Sequence, residues 1–224
     1  MKKIILSISL SIFASGILAA DMKPYIEAQL GYADLRDVDI NSLSGTGFST
    51  SGNIKLKYDS DTTYGFEVGV ADVNTNLRLG ASYSRAEFDF ESGSFSGTAT
   101  VFGTTYGPAS ASFTRADLGN DANSLKAEVN LYMLNAYYDF KTDSALTPFL
   151  GAGIGMADIK DTKDNELALS LSGGAKYNFD KNLYIGLKGS YVTVNGPTLN
   201  VDNADIRLDR VDLAKAEVLL GANF

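Results

Sequence analysis

Nine charged residues of this 224-residue chain fall in phase with an alternation of apolar and polar positions: Glu27, Glu67, Glu128 and Glu217, with Arg78, Lys126, Lys176, Lys188 and Lys215. Acids and bases gathered on one face can do acid–base chemistry as a carboxylate pair, hold a cation, or neutralise one another as ion pairs. The chain has no His and no Cys. That removes Ser-His-Asp and Cys-His nucleophiles, imidazole bases, His-ligated metals, thiolate zinc, iron–sulfur clusters and disulfides. A carboxylate-pair hydrolase stays open on the number of acids alone, but each acid of the set has a basic neighbour in the same register, the arrangement of structural pairs. The expected centre of that network is Glu67, Arg78, Lys126 and Glu128. No metal or other cofactor is expected. The acidic stretches with Asp59 and Asp61, and with Asp158, Asp161 and Asp164, lack a D-x-D-x-D-G run closed by a glutamate, so solvation of surface loops is their default role.

The elements that must position these charges alternate with a period of two, the signature of two-faced strands. Eight such stretches occur, at 26–33, 64–71, 77–84, 125–133, 150–156, 167–172, 183–191 and 214–224. In the fourth, Leu125, Ala127, Val129, Leu131 and Met133 form the apolar parity, against Lys126, Glu128, Asn130 and Tyr132. In the last, Leu219 breaks the pattern. The connections after the second, fourth and sixth strands are short turns. The other four, roughly 36–63, 88–123, 158–165 and 195–210, are mostly longer and rich in Ser, Thr, Gly, Asp and Asn. Short turns on one rim and long loops on the other predict an all-β, eight-stranded antiparallel up-and-down transmembrane barrel with periplasmic turns and extracellular loops.

A soluble lipocalin-type barrel would bear the same alternation with its apolar face inward. Three features favour apolar residues facing outward. The polar parity carries nearly balanced charge spaced by Gly, Ala and Ser, suited to a narrow interior. Aromatic residues gather near strand ends, Tyr32, Tyr64, Tyr83 and Tyr191 by the long loops and Tyr137, Tyr177, Phe179 and Phe224 by the short turns, as two interfacial girdles would require. The terminal Phe224 is in phase with the lipid-facing parity. The second long loop alternates weakly between Phe95 and Phe113 and is expected to form a hairpin above the membrane; the alternative is two further spanning strands and a ten-stranded barrel.

The first twenty residues stand apart. Lys2 and Lys3 precede an apolar run, Ile4 to Leu18, and Ala19-Ala20 precede Asp21, the layout of a cleaved secretory signal peptide. The run of about 15 apolar residues is short for a spanning helix, which needs ~20. Domain organisation is therefore read as a signal peptide at 1–20 and a barrel at 21–224. The acidic balance, 19 bases to 27 acids, argues against a nucleic-acid partner.

The passage Asn135-Ala136-Tyr137-Tyr138-Asp139-Phe140, followed by Thr147-Pro148-Phe149-Leu150-Gly151-Ala152-Gly153-Ile154-Gly155, resembles the "N-x-Y-Y-D-F … T-P-[YF]-x-G-x-G-x-G" stretch of small Gram-negative outer-membrane barrels: the OmpA-like transmembrane domain, the opacity-type adhesins and the "porin family" surface proteins. The opening Pro24-Tyr25-Ile26-Glu27-Ala28-Gln29-Leu30-Gly31-Tyr32 and the terminal Phe224 are similar to that family too. The resemblance implies a cell outer-membrane location and insertion by the outer-membrane assembly machinery, with Phe224 as assembly signal. Ala222 departs from the pattern where an aromatic often precedes the last by two. Barrel enzymes of similar size resemble one another in needing an active-site histidine, which this chain lacks. Expected partners are outer-membrane lipid and lipopolysaccharide, with the loops open to an extracellular ligand, and a monomer is expected. Two functions follow: a structural and surface-interaction protein whose lumen is plugged by Glu, Lys and Arg pairs, or a small passive channel for ions or small solutes.

Overall fold

The computed structural model describes residues 22–224 apart from 46–47, 73, 120–124, 161, 163–164, 181, 197, 202–203 and 209. The expected signal peptide at 1–20 lies outside the described residues, as do Asp161 and Asp164 of the third loop. The described strands, in chain order, are β1 (Met22–Leu35), β2 (Val38–Gly45), β3 (Phe48–Tyr58), β4 (Asp61–Asp72), β5 (Leu77–Phe88), β6 (Phe90–Val101), β7 (Thr104–Thr114), β8 (Ala127–Asp139), β9 (Leu146–Ile159), β10 (Glu166–Asn178), β11 (Leu183–Asn195), β12 (Thr198–Val201), β13 (Ala204–Leu208) and β14 (Arg210–Asn223). One short helix, α1 (Arg115–Leu118), follows β7.

Strands β1, β4, β5, β8, β9, β10, β11 and β14 close into an eight-stranded barrel in which β1 pairs with both β4 and β14. Every ladder is antiparallel. Closure leaves no free edge at membrane depth, where an unpaired backbone group would be costly. Alternation sends one side chain in and the next out. Outward-pointing Leu30, Leu150, Leu171, Leu187 and Leu220 are each more than half exposed. A belt of this kind would be a liability in water and is the expected coat in lipid. It settles the choice against the soluble barrel.

The loops hold the unexpected part of the fold. Strands β6 and β7 form the anticipated hairpin, and they pair with each other and β3 rather than joining the barrel, so the ten-stranded alternative falls. The first and fourth loops each hold a hairpin as well, and the three lie side by side as one six-stranded sheet, β12-β13-β2-β3-β6-β7. At its base, Ile54, Leu56 and Tyr58 of β3 pack on the apolar cluster that fills the upper barrel.

Candidate functional site

Because an eight-stranded barrel is only wide enough to be filled by side chains, the interior reports on function directly. It is layered. Toward the loops, Leu35 of β1, Phe88 of β5, Val129, Leu131 and Met133 of β8, Ile159 of β9, Val192 and Val194 of β11 and Leu213 of β14 belong to one buried apolar cluster. Toward the short turns, the interior is polar and charged.

Three connected groups make up the polar half. Glu67 accepts hydrogen bonds from the hydroxyls of Tyr25 (2.5 Å) and Tyr137 (2.8 Å) and from the Asn135 amide (2.8 Å), which also donates to Ser82 (2.9 Å). Glu27 accepts from the Tyr184 hydroxyl and the Gln29 amide, both at 2.8 Å, and stands 3.7 Å from Arg78 Nη1. Arg78 Nε donates to both carboxylate oxygens of Asp139 (3.1 and 3.3 Å), and Lys176 approaches the same carboxylate at 2.6 Å. The guanidinium lies 4.4 Å from the Tyr137 ring centre and 5.2 Å from those of Tyr25 and Phe149. Such a cation–π enclosure suits the flat, weakly hydrated guanidinium better than an ammonium. Higher in the barrel, Glu217 sits between Lys215 (3.0 Å) and Lys188 (3.3 Å), and Lys215 also donates to Ser84 (3.2 Å). Among the described residues the lumen holds four acids (Glu27, Glu67, Asp139, Glu217) and four bases (Arg78, Lys176, Lys188, Lys215); Glu67 is engaged by neutral donors, the other three acids by bases.

Seven of the nine charges expected in the lumen therefore lie there: Glu27, Glu67, Arg78, Lys176, Lys188, Lys215 and Glu217. Two do not. Lys126 precedes β8, is exposed, and pairs with Asp89 at 2.9 Å. Glu128 lies on the outer wall and pairs with Arg85 at 3.0 Å. Lys126 lies outside the ladder altogether, while the correction at Glu128, and a third, have one cause: the parity expected for this strand is inverted. In β8 the odd residues point inward, so Tyr137, expected in the turn-side girdle, is 3% exposed inside the lumen. The even residues Tyr132, Leu134 and Tyr138 face lipid instead. The expected central quartet is likewise replaced. Glu67 has no base within salt-bridge distance among the described residues, and it is linked to Arg78 only through the two tyrosine rings they share. Tyr25, Gln29, Asn135 and Tyr184, missed by reading charges alone, complete the network with Asp139, which closes β8 where a short turn was expected to begin.

On the outside, Tyr32, Tyr64 and Tyr191 are exposed near the long loops, and Tyr83 packs at ring distances of 5.9 Å from Phe66 and 5.3 Å from Tyr132. Tyr177, Phe179 and Phe224 are exposed by the short turns, where Tyr138 and Phe140 join them. The Phe224 backbone N–H donates to the Pro24 carbonyl at 2.9 Å, fastening the final residue to β1.

Above the barrel, Asp89 joins β5 to β6 and gathers Arg115 of α1 (2.8 Å) and Lys126 (2.9 Å). Hydrogen bonds from Arg115 first, then Lys126, hold its carboxyl below the usual range. Helix α1 is closed by Thr114, whose N–H and hydroxyl both donate to Asp117 at 2.8 Å. Where barrel and sheet meet, a cleft of about 600 Å³ is lined by acids and bases together, among them Asp34, Arg36, Lys57 and Asp212. No group of acids suited to hold a metal ion occurs among the described residues.

A filled, closed barrel with a lipid-facing coat is the geometry of a known class, and residues 5–210 match the family described as outer membrane protein beta-barrel domain. The chain belongs to that family. This outer-membrane barrel is also 29% identical over 83 residues to outer membrane protein PagN of Salmonella typhimurium (strain LT2), a stretch covering 30% of this chain and 35% of PagN. Among solved structures, Neisserial surface protein A is similar at a TM-score of 0.51 and 15% identity, covering 90% of this chain and 97% of its own. Outer membrane protein AlkL, determined in lipid bilayers, is similar at 0.53 and 13%, covering 92% of each chain. At those identities the likeness is one of fold. Membership of the family places the chain in the Gram-negative outer membrane.

Proposed function

We propose that this outer-membrane barrel is a non-enzymatic structural and surface-interaction protein: the barrel is a closed pedestal, and the six-stranded sheet above it carries the binding surface. One observation carries the reading. Arg78 is 2% exposed within a polar half filled by charges that are paired or, at Glu67, hydrogen-bonded to neutral donors, and a separate apolar cluster fills the other half. Ions would have to cross both layers, and desolvation at the apolar one is prohibitive. A catalytic carboxylate pair would need acids open to substrate, whereas Glu27, Glu67 and Glu217 are each buried to within 2% and engaged by protein donors. Export through a cleaved segment at 1–20, insertion directed by the aromatic end at Phe224, contact with lipopolysaccharide through the aromatic girdle and a monomeric state all belong to this proposal. The test is single-channel recording in planar bilayers together with cell binding by protein lacking the β6–β7 hairpin. Silence in the bilayer and loss of binding are expected; steady conductance would overturn the pedestal reading.

A further inference from the structure

The last hairpin in the order of the extracellular sheet ends in an arrangement that nothing among the described residues explains. Strands β6 and β7 are joined by two residues, Phe102 and Gly103, both at positive φ (47° and 83°). Two left-handed residues in a two-residue connection make a type I′ hairpin turn, which favours Asn, Asp or Gly at its first position. A bulky aromatic there is an outlier that carries a strain cost. No burial within the chain offsets that cost, since Phe102 is 86% exposed.

The surroundings extend the feature. The register places Val101 opposite Thr104 and Ala99 opposite Tyr106, so Val101, Ala99 and Tyr106 share one face of the hairpin directly behind Phe102. Tyr106 is 60% and Val101 37% exposed. From Ser92 to Thr114, spanning most of β6 and all of β7, the chain carries no Asp, Glu, Lys or Arg, although 21% of its residues are charged. Strand β6 has 12 residues, enough to carry the tip about 40 Å from the barrel rim.

We propose that this tip is a membrane-inserting finger, and that its partner is the zwitterionic lipid surface of an opposing cell. The inference rests on the surface-interaction reading and names its partner. Phe102 projects from a two-residue turn with 86% of its surface exposed, so it offers a point of insertion and not a groove to an incoming chain. It is uncharged, so it offers nothing to an anionic polymer. An apolar ring at the apex with an amphipathic tyrosine just behind is the pairing that settles at the boundary between headgroups and acyl chains. In a chain of net charge -8, a neutral arm is also the part least repelled by a cell surface bearing negative charge.

The absence of tryptophan gives a clean test. Phe102→Trp places a single indole at the apex. With the full chain in amphipol, which brings neither tryptophan nor lipid, adding phosphatidylcholine vesicles is expected to shift its emission to the blue, and brominated acyl chains should quench it. Phe102→Asn, which suits the turn better, should leave heat-modifiable gel migration intact and weaken vesicle co-flotation at least ~10-fold, the loss expected for one buried aromatic side chain. An unshifted indole, a blue shift before any vesicle is added, or equal flotation of Phe102→Asn would each overturn the proposal. So would Phe102→Asn losing cell binding while vesicle binding is unchanged, because the partner would then be a protein. Failure of the pedestal reading would show separately, as conductance in bilayers without any change at residue 102.

Discussion

Glu27 and Glu67 stand directly opposite each other across the β1–β4 ladder, both buried to within 2%. Like charges facing across a ladder repel, and a buried carboxylate without partners is costly. The barrel resolves this by giving each acid its own donors from strands two places round the barrel. Tyr184 and Arg78 reach Glu27, while Tyr137 and Asn135 reach Glu67. Removing one such donor should therefore cost more than an ordinary hydrogen bond. Tyr137→Phe is expected to destabilise the barrel by about 2 kcal/mol, the value for a bond to a charged group. Urea unfolding in detergent or lipid measures it, and an unchanged midpoint would refute the role given to Tyr137.

Arg78 is the common partner of Glu27 and Asp139 and is ringed by three aromatic side chains. Its removal leaves buried acids short of a counter-charge. Arg78→Ala should cost about 3–5 kcal/mol, seen as a lower temperature for the gel shift. It should still not conduct, because the apolar cluster above is untouched. A variant that folds and passes current would place the seal in the charged half alone.

Gly221 faces the Tyr184 ring so closely that an added Cβ would overlap it. Gly221→Ala must push the ring aside and with it the hydroxyl that serves Glu27. A loss of about 1–3 kcal/mol is expected from overpacking. Gly189→Ala, where an added Cβ meets only backbone oxygens at 3.9–4.0 Å, should be nearly silent in the same unfolding assay.

Asp89 gives one pH response in the loops whose sign can be assigned. Its folded carboxyl titrates below the ordinary value because Arg115 and Lys126 bond to it. The stabilisation is thus present above the unfolded value of about 3.9 and lost as pH falls through the lower, folded one. Hydrogen exchange at α1 should be insensitive to pH between 7 and 5, once corrected for intrinsic rates, and should accelerate below about 4. At neutral pH, Asp89→Asn should speed tryptic cleavage after Arg115. Equal cleavage rates would deny Asp89 its tethering role.

Seven of the eight barrel strands present the face that their alternation announces, because one parity in each is plainly small or polar. Strand β8 misleads for a physical reason. Its upper interior positions, Val129, Leu131 and Met133, belong to the apolar layer, so the equation of inward with polar fails where the strand begins. The lower half held the answer: Asn135 and Asp139 share the parity of Met133, while Leu134, Ala136 and Tyr138 take the other. Tyr25 and Tyr184 share the inward parity of Glu27 and Lys188, so their direction was legible, but their partners were not, since the carboxylates that their hydroxyls reach lie on other strands. The loop sheet was half legible. The β6–β7 hairpin shows its alternation, but pairing between separate loops is long-range information that no local pattern carries.

The sheet order β12-β13-β2-β3-β6-β7 draws strands from three separate loops into one ladder. Those loops consequently lack the freedom usually granted to surface segments. An insertion in β3 would break register on both sides at once, against β2 and against β6. The connection between β9 and β10 contributes no strand to the ladder among the described residues. Across relatives of this barrel, drift in length should collect in that single connection, while the other three evolve in concert.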